Sequence, residues 1–259
     1  MSALEERTVN AGGITCRVWE KGSGETVGFL GGLRGLPHWT PFLDRLAERR
    51  RVVAPSLPGF PGATGHDRLD DIADWVTATL DVLEASGLEG EDLVGASVGA
   101  TLAAEVAAFS RRSVNRLVLI APLGLFDASE PVADMWARRP SELPELLSAR
   151  PEQFAAALAQ PAEADEIEWQ VLLARASEAA ARLLWPTGDV GLAKRLRRVR
   201  APTLIVWGVD DRLVPPSYAK RFAAGVGGFS EIREIAGAGH VAEIDAPDAV
   251  SEAVLRFLD

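Results

Sequence analysis

Asp92-Leu93-Val94-Gly95-Ala96-Ser97-Val98-Gly99-Ala100-Thr101-Leu102-Ala103-Ala104-Glu105-Val106 runs from an apolar strand into an alanine-rich, helix-compatible segment, and only a pentapeptide separates the two. A strand-to-helix turn with no loop is sterically tight. It forces the central residue into a strained backbone state and leaves no room for Cβ atoms two positions to either side. Gly95 and Gly99 meet that demand, and Ser97 then projects from the top of a sheet. The pattern G-x-S-x-G in this context is that of a nucleophile elbow. Without the strand and the helix, the same five residues would equally fit a chance turn with a solvated serine.

Outward from this turn, strands and helices alternate. Thr26–Leu30, Arg51–Ala54, Arg116–Ala121 and Thr203–Trp207 are short, uninterrupted apolar runs. Strands covered on both faces by crossover helices read this way. Glu231–Ile235 is a further strand candidate, and Arg7–Asn10 and Ile14–Glu20 flank a hairpin turn at Ala11-Gly12-Gly13. Trp39–Arg49 and Asp67–Ser86 carry apolar residues at helical spacing. The alternation predicts a mostly parallel α/β sheet. From Asp127 to Gly191 it stops. That stretch is alanine-rich, is punctuated by Pro131, Pro140, Pro144, Pro151, Pro161 and Pro186, and has helical windows at Glu152–Ala159 and Ala164–Leu184. The expected organisation is one core, residues 1–126 and 192–259, with a helical insertion at 127–191. In Lys194–Arg200, Leu192, Leu196 and Val199 form a buried stripe whose solvated face is basic, a better reading than a nucleic-acid patch.

Composition excludes several classes. The chain has 259 residues, 27 Lys+Arg against 37 Asp+Glu, and a net charge of −10. Phosphate binding needs clustered positive charge, so nucleic acid is not expected as a partner. The single cysteine, Cys16, makes no internal disulfide and suits a reducing compartment. The N-terminal residues lack the apolar region of a signal peptide, and no apolar run reaches the ~18 residues of a membrane span. A cytoplasmic protein with no membrane partner is the expectation, its oligomeric state unread. Three histidines leave few for a metal site, and no metal or cofactor is expected.

A serine nucleophile needs a base. His240, in Gly239-His240-Val241, follows a strand candidate near the C-terminus, where it can meet Ser97. His38 follows a glycine-rich loop and either lines the site or caps a helix. His66 reads as surface. An imidazole base needs an orienting carboxylate. Asp210 and Asp211 both follow the strand Thr203–Trp207, and Asp127 is a more distant alternative.

The order Ser97, then this acid pair, then His240 resembles that of the α/β-hydrolase superfamily. The likeness covers nearly the whole chain: Gly32-x-x-Gly35, Pro58-Gly59-Phe60, Gly95-x-Ser97-x-Gly99, Gly208-x-x-Asp211-x-x-x-Pro215 and Gly239-His240. It implies an α/β-hydrolase fold, with a mostly parallel eight-stranded sheet flanked by helices and 127–191 as a cap over the site. The family's acid lies three residues after the strand-end glycine, which selects Asp211. The family's oxyanion donors map to the backbone N–H groups of Leu33 and Val98. The insertion would supply pocket residues, with Trp136, Trp169 and Trp185 joining Gly32 and His38, although most cap aromatics would equally serve as cap core.

The chain also departs from relatives. Gly31-Gly32 stands where many have His-Gly. Hydrolases of carbon–carbon bonds usually carry Asn at the Ala96 position and Trp at the Val241 position. Dehalogenases and epoxide hydrolases place Asp at the elbow. The resemblance therefore implies a cofactor-free serine hydrolase, carboxylesterase-like, acting on a small acyl substrate through a Ser97–His240–Asp211 triad. C–C bond hydrolysis of ring-cleavage products, cofactor-free perhydrolase (haloperoxidase) chemistry and a non-catalytic ligand receptor stand as alternatives.

Overall fold

Eight strands form one sheet in the order β1-β2-β4-β3-β5-β6-β7-β8 in the computed structural model, which describes residues 2–185 and 189–259. The strands are β1 (Glu5–Ala11), β2 (Ile14–Lys21), β3 (Thr26–Leu30), β4 (Arg51–Pro55), β5 (Asp92–Ala96), β6 (Leu117–Ile120), β7 (Thr203–Gly208) and β8 (Ser230–Ile235). β1 and β2 form the expected hairpin: Ala11 pairs with Ile14 across Gly12 and Gly13, both at positive φ. Two left-handed residues make the turn whose twist matches its strands. β2 meets β4 antiparallel, and every pairing from β4 to β8 is parallel.

The sheet divides the core in two. Leu117 and Leu119 of β6, with Ile205 and Trp207 of β7, pack with Trp75, Leu83 and Leu102. Val118, Ile120, Leu204 and Val206 point the other way, toward Phe42, Leu46, Val250 and Val254. The first layer rests on α2 (Ile72–Ser86) and α3 (Val98–Phe109), the second on α1 (Pro41–Ala47) and the C-terminal helix. Burial on both faces is why β5, β6 and β7 lack polar alternation.

Helix boundaries follow their caps. α1 begins at Pro41 because the Thr40 hydroxyl accepts from the Leu43 N–H. α2 begins at Ile72, later than periodicity implies, because the Asp71 carboxylate takes the N–H groups of Ala73 and Asp74. Leu192, Leu196 and Val199 are buried as expected, but on two single 3-10 turns. The basic face is not wholly solvated either: Arg195 turns inward onto the fully buried Glu105, at 2.6 and 2.5 Å.

Between β6 and β7 lie α4 (Leu143–Leu147), α5 (Pro151–Ala157) and α6 (Glu166–Leu184). Among the described residues this segment holds no strand, only an isolated bridge between Gly124 and Asp189. Pro186, one of the punctuating prolines, lies outside the described residues. α6 is capped by Asp165 and buries a face of small residues, Ala176, Ala179 and Ala180, together with Leu183 and Leu184. The start of the segment is tied to α7 (Tyr218–Gly225): the Tyr218 hydroxyl accepts from the Asp127 N–H and donates to the Glu130 carbonyl. After β8 come α8 (Ala242–Asp245) and α9 (Pro247–Leu258). No helix among the described residues is long and apolar enough to cross a membrane.

Candidate active site

The turn after β5 takes the strained form its sequence demands. Ser97 has φ +49°. A Cβ on Gly95 would sit 2.5 Å from the Gly99 carbonyl oxygen, and one on Gly99 would strike the backbone of Leu30 and Gly31. Strain at such a residue is of order 1–3 kcal/mol and survives only where its surroundings hold it. Here the Ser97 N–H donates to Ile120 O at 2.8 Å, and the Thr101 N–H donates to Ser97 O at 2.9 Å.

The loops after β7 and β8 bring two groups to this serine. His240 Nε2 lies 2.7 Å from Ser97 Oγ, and His240 Nδ1 lies 2.9 Å from Asp211 Oδ2. Asp211 Oδ1 accepts the N–H groups of Leu213 and Val214, both at 2.9 Å. All three side chains are buried. The acid pair thus separates by geometry: Asp210 stays exposed, while Asp127 pairs with Arg221 on the far side of Tyr218. A carboxylate only accepts, so the Nδ1 position carries the ring proton and Nε2 is left to accept from the serine hydroxyl.

A second carboxylate holds the histidine loop. Asp245, fully buried, accepts the Gly239 N–H at 2.7 Å, the Ala149 N–H at 2.8 Å and the Ser148 hydroxyl. The Val241 N–H donates to Leu147 O at 3.1 Å. The backbone on both sides of His240 is therefore fastened to residues 147–149 of the inserted segment.

Leu33 lies in a tight turn closed by the Gly35 N–H on Gly32 O, and Val98 opens α3. Both residues are buried, and among the described residues neither backbone N–H has an acceptor. Buried N–H groups without partners are rare, and a pair of them beside a nucleophile suits a transient oxyanion. A Cβ added at Gly32 would stand 3.4 Å from that of Ser97, an ordinary van der Waals contact. Gly31 is explained by packing: a Cβ there would lie 2.6 Å from the Gly35 carbonyl carbon.

A cleft of about 590 Å³ opens between this loop and the inserted segment. Leu33, Met135, Trp136, Leu143, Leu147 and Leu173 give it apolar walls. A smaller cavity of about 40 Å³ touches Gly32, His38, Phe154, Val241 and Glu243. Of the pocket residues expected from sequence, Trp136 lines the cleft, and Gly32 and His38 line the smaller cavity; Leu33, expected as an oxyanion donor, lines both. His38 Nε2 also lies 2.7 Å from Ala159 O, and its ring stands 5.1 Å from that of Trp169. Trp169 lines neither space. Trp185 does not meet its expectation: it ends α6 with extended backbone, is 61% exposed and lines neither space. His66, expected at the surface, is buried, with its Nε2 3.6 Å from Glu178 of α6.

Two neighbours escaped the sequence reading. Arg34 directly follows Leu33 and borders both spaces. Glu243, three residues after His240, is buried with Oε2 unpartnered among the described residues. Burial pushes its carboxyl up to about 7, with the His240 imidazole opposing and Asp245 adding to the shift. Each is a charged residue within three positions of a site residue, which was the available signal.

A family model described as the alpha/beta hydrolase family matches residues 31–253. The 2-hydroxy-6-oxo-2,4-heptadienoate hydrolase of Pseudomonas putida strain F1 is 29% identical, over 81% of this chain and 80% of its own. The serine hydrolase CarC, involved in carbazole degradation, superposes with a TM-score of 0.75 at 26% identity, covering 99% of both chains. A bacterial membrane phospholipase A superposes with a TM-score of 0.79 at 24% identity, covering 99% of this chain and 86% of that one. With the elbow, the strand order and the loop positions already in place, the match over most of the length is decisive: this chain belongs to the alpha/beta hydrolase family.

Proposed function

We propose that the protein is a serine hydrolase that cleaves a small carboxylic ester through an acyl-enzyme, with residues 127–191 acting as the cap that shapes its substrate cleft. The hydrogen-bonded chain from Ser97 Oγ through His240 to Asp211 Oδ2 carries this reading. Ser97 Oγ attacks the acyl carbon while His240 Nε2 takes the hydroxyl proton. The carbonyl oxygen becomes an oxyanion held by the Leu33 and Val98 N–H groups. Losing one donor of such a hole typically costs ~2.7–4 kcal/mol. Collapse expels the alkoxide, which leaves with the proton from His240. Water then attacks the acyl-enzyme with His240 as base, the acid departs and Ser97 regains its proton. Asp211 keeps the imidazole in the working tautomer and stabilises its charged form.

A second reading, C–C bond hydrolysis, is favoured by the name of the P. putida relative. The same triad serves it. Ala96 and Val241, both buried, stand where such enzymes usually carry Asn and Trp, and they favour the ester. A panel setting short p-nitrophenyl esters against dienoic ring-cleavage products decides between the two. Turnover of the esters, lost in Ser97→Ala, is the expected result. Turnover of the dienoates alone would replace the ester reading with the second one.

A further inference from the structure

The cleft has an unusual charge balance for this chain. The protein as a whole carries 37 acids against 27 bases. Among the described residues that line the cleft, two are arginines, Arg34 and Arg138, and none is an acid; Glu243 lines the smaller cavity that Arg34 also borders. Arg34 is half-buried, and burial pulls its guanidinium below the usual value, with no carboxylate to offset it. Among the described residues its hydrogen bonds come from Nη1 alone, to Leu173 O at 2.9 Å and to Ser177 Oγ, both on α6. Among the described residues, Nε and Nη2 have no acceptor. Arg195 holds Glu105, and Arg50 holds Glu25 and Asp259, while Arg17, which also turns inward, donates to two carbonyls and lies over the Trp19 ring; Arg34 has neither a carboxylate nor a ring. A partly desolvated cation left without a counter-charge is costly. Its planar fork, anchored at one corner to α6, matches a carboxylate. The net charge of −10 repels anions at distance, so a local guanidinium is what would retain one.

We infer that Arg34, assisted by Arg138 at the mouth, binds a carboxylate of the substrate distal to the scissile carbonyl, so that the enzyme takes monoesters of dicarboxylic acids. This rests on the serine-hydrolase reading for its chemistry, but the anion site stands on its own geometry. Arg34 follows Leu33 in the chain, and both line the same cleft.

The test compares mono-p-nitrophenyl glutarate with p-nitrophenyl valerate, and adds calorimetric binding of glutarate to Ser97→Ala. The wild type is expected to prefer the glutarate monoester in kcat/KM by about ten- to a hundredfold, the range for a hydrogen bond to a charged group. Arg34→Met should erase that ratio, Arg34→Lys should keep part of it, and Arg138→Ala should reduce it several-fold. Glutarate should bind Ser97→Ala saturably and fail to bind the Ser97→Ala/Arg34→Met double variant. Equal or better turnover of the valerate ester by the wild type overturns the inference, as does a ratio that survives Arg34→Met in folded protein. If neither ester is consumed, the ester reading fails. Glutarate binding that depends on Arg34 then still upholds the anion site, and its absence overturns it.

Discussion

The strand ends and the inserted segment place their side chains by different means. Ser97, Asp211 and His240 are placed by backbone: a strained turn packed against glycines, two N–H groups on Asp211, and a histidine loop clamped by Asp245. The cleft walls, Met135, Trp136, Leu143 and Leu173, are side chains of the inserted segment, which lean on the core through contacts such as Arg34 on Leu173 and His38 on Ala159. On the proposed function, chemistry is fixed where the sheet is rigid, and selectivity sits on side chains that change without disturbing it. Substitutions at the strand ends should abolish turnover, whereas those in the cleft should redistribute it.

The largest expected effect is at the nucleophile. Ser97→Ala should lower kcat roughly a millionfold, the scale seen when a triad serine is removed. The Tm read by thermal denaturation should be nearly that of the wild type, because the variant keeps the elbow backbone. A steady-state assay showing less than a hundredfold loss would break the assignment of chemistry to the strand ends. Asp211→Asn comes next. An amide can donate to Nδ1 and stabilise the wrong tautomer, so kcat should fall about 10⁴-fold with KM little changed.

Away from the site, Arg195→Ala leaves Glu105 buried without a partner. Breaking a buried pair by removing one member costs about 3–5 kcal/mol, to be read from urea denaturation. The specific activity of the folded fraction should be preserved. Glu243 gives a pH signature. Its folded carboxyl holds a proton to about 7, whereas an unfolded one loses it near ~4.3. The native state therefore binds more protons in that window, and stability should fall as pH rises from about 4.5 to 7, by roughly 3 kcal/mol, then level off. Denaturation of Glu243→Gln across this window should show the slope removed. The smallest effect belongs to the cleft. Trp136→Ala should shift relative kcat/KM among acyl chains by about tenfold, the scale of a changed apolar contact, with little effect on the shortest ester.

The same contrast governs what the sequence reveals. The elbow is readable because its sterics admit only small residues at Gly95 and Gly99, and the buried strands because both their faces are covered. The loops after β7 and β8 are readable through their order along the chain. α9 goes unread from periodicity, although Pro247 at its start and Val250, Val254 and Leu258 along one face carry the signal. The cleft is least legible, because helical spacing in an alanine-rich segment does not say which face looks inward. Trp136 reaches the cleft wall and Trp185 faces solvent, the reverse of what its neighbours Leu183 and Leu184 suggest. Arg34 shows the same limit from the core side, since its meaning depends on the absence of acids around a space that only the folded chain encloses.

The central claim is that Ser97 is a nucleophile activated by His240. Intact-protein and peptide mass spectrometry after treatment with a fluorophosphonate tests it most directly. One adduct, on the peptide carrying Ser97, absent in Ser97→Ala and strongly slowed in His240→Ala, is the predicted result. An adduct on a different residue, or no adduct on folded wild-type protein, would contradict it.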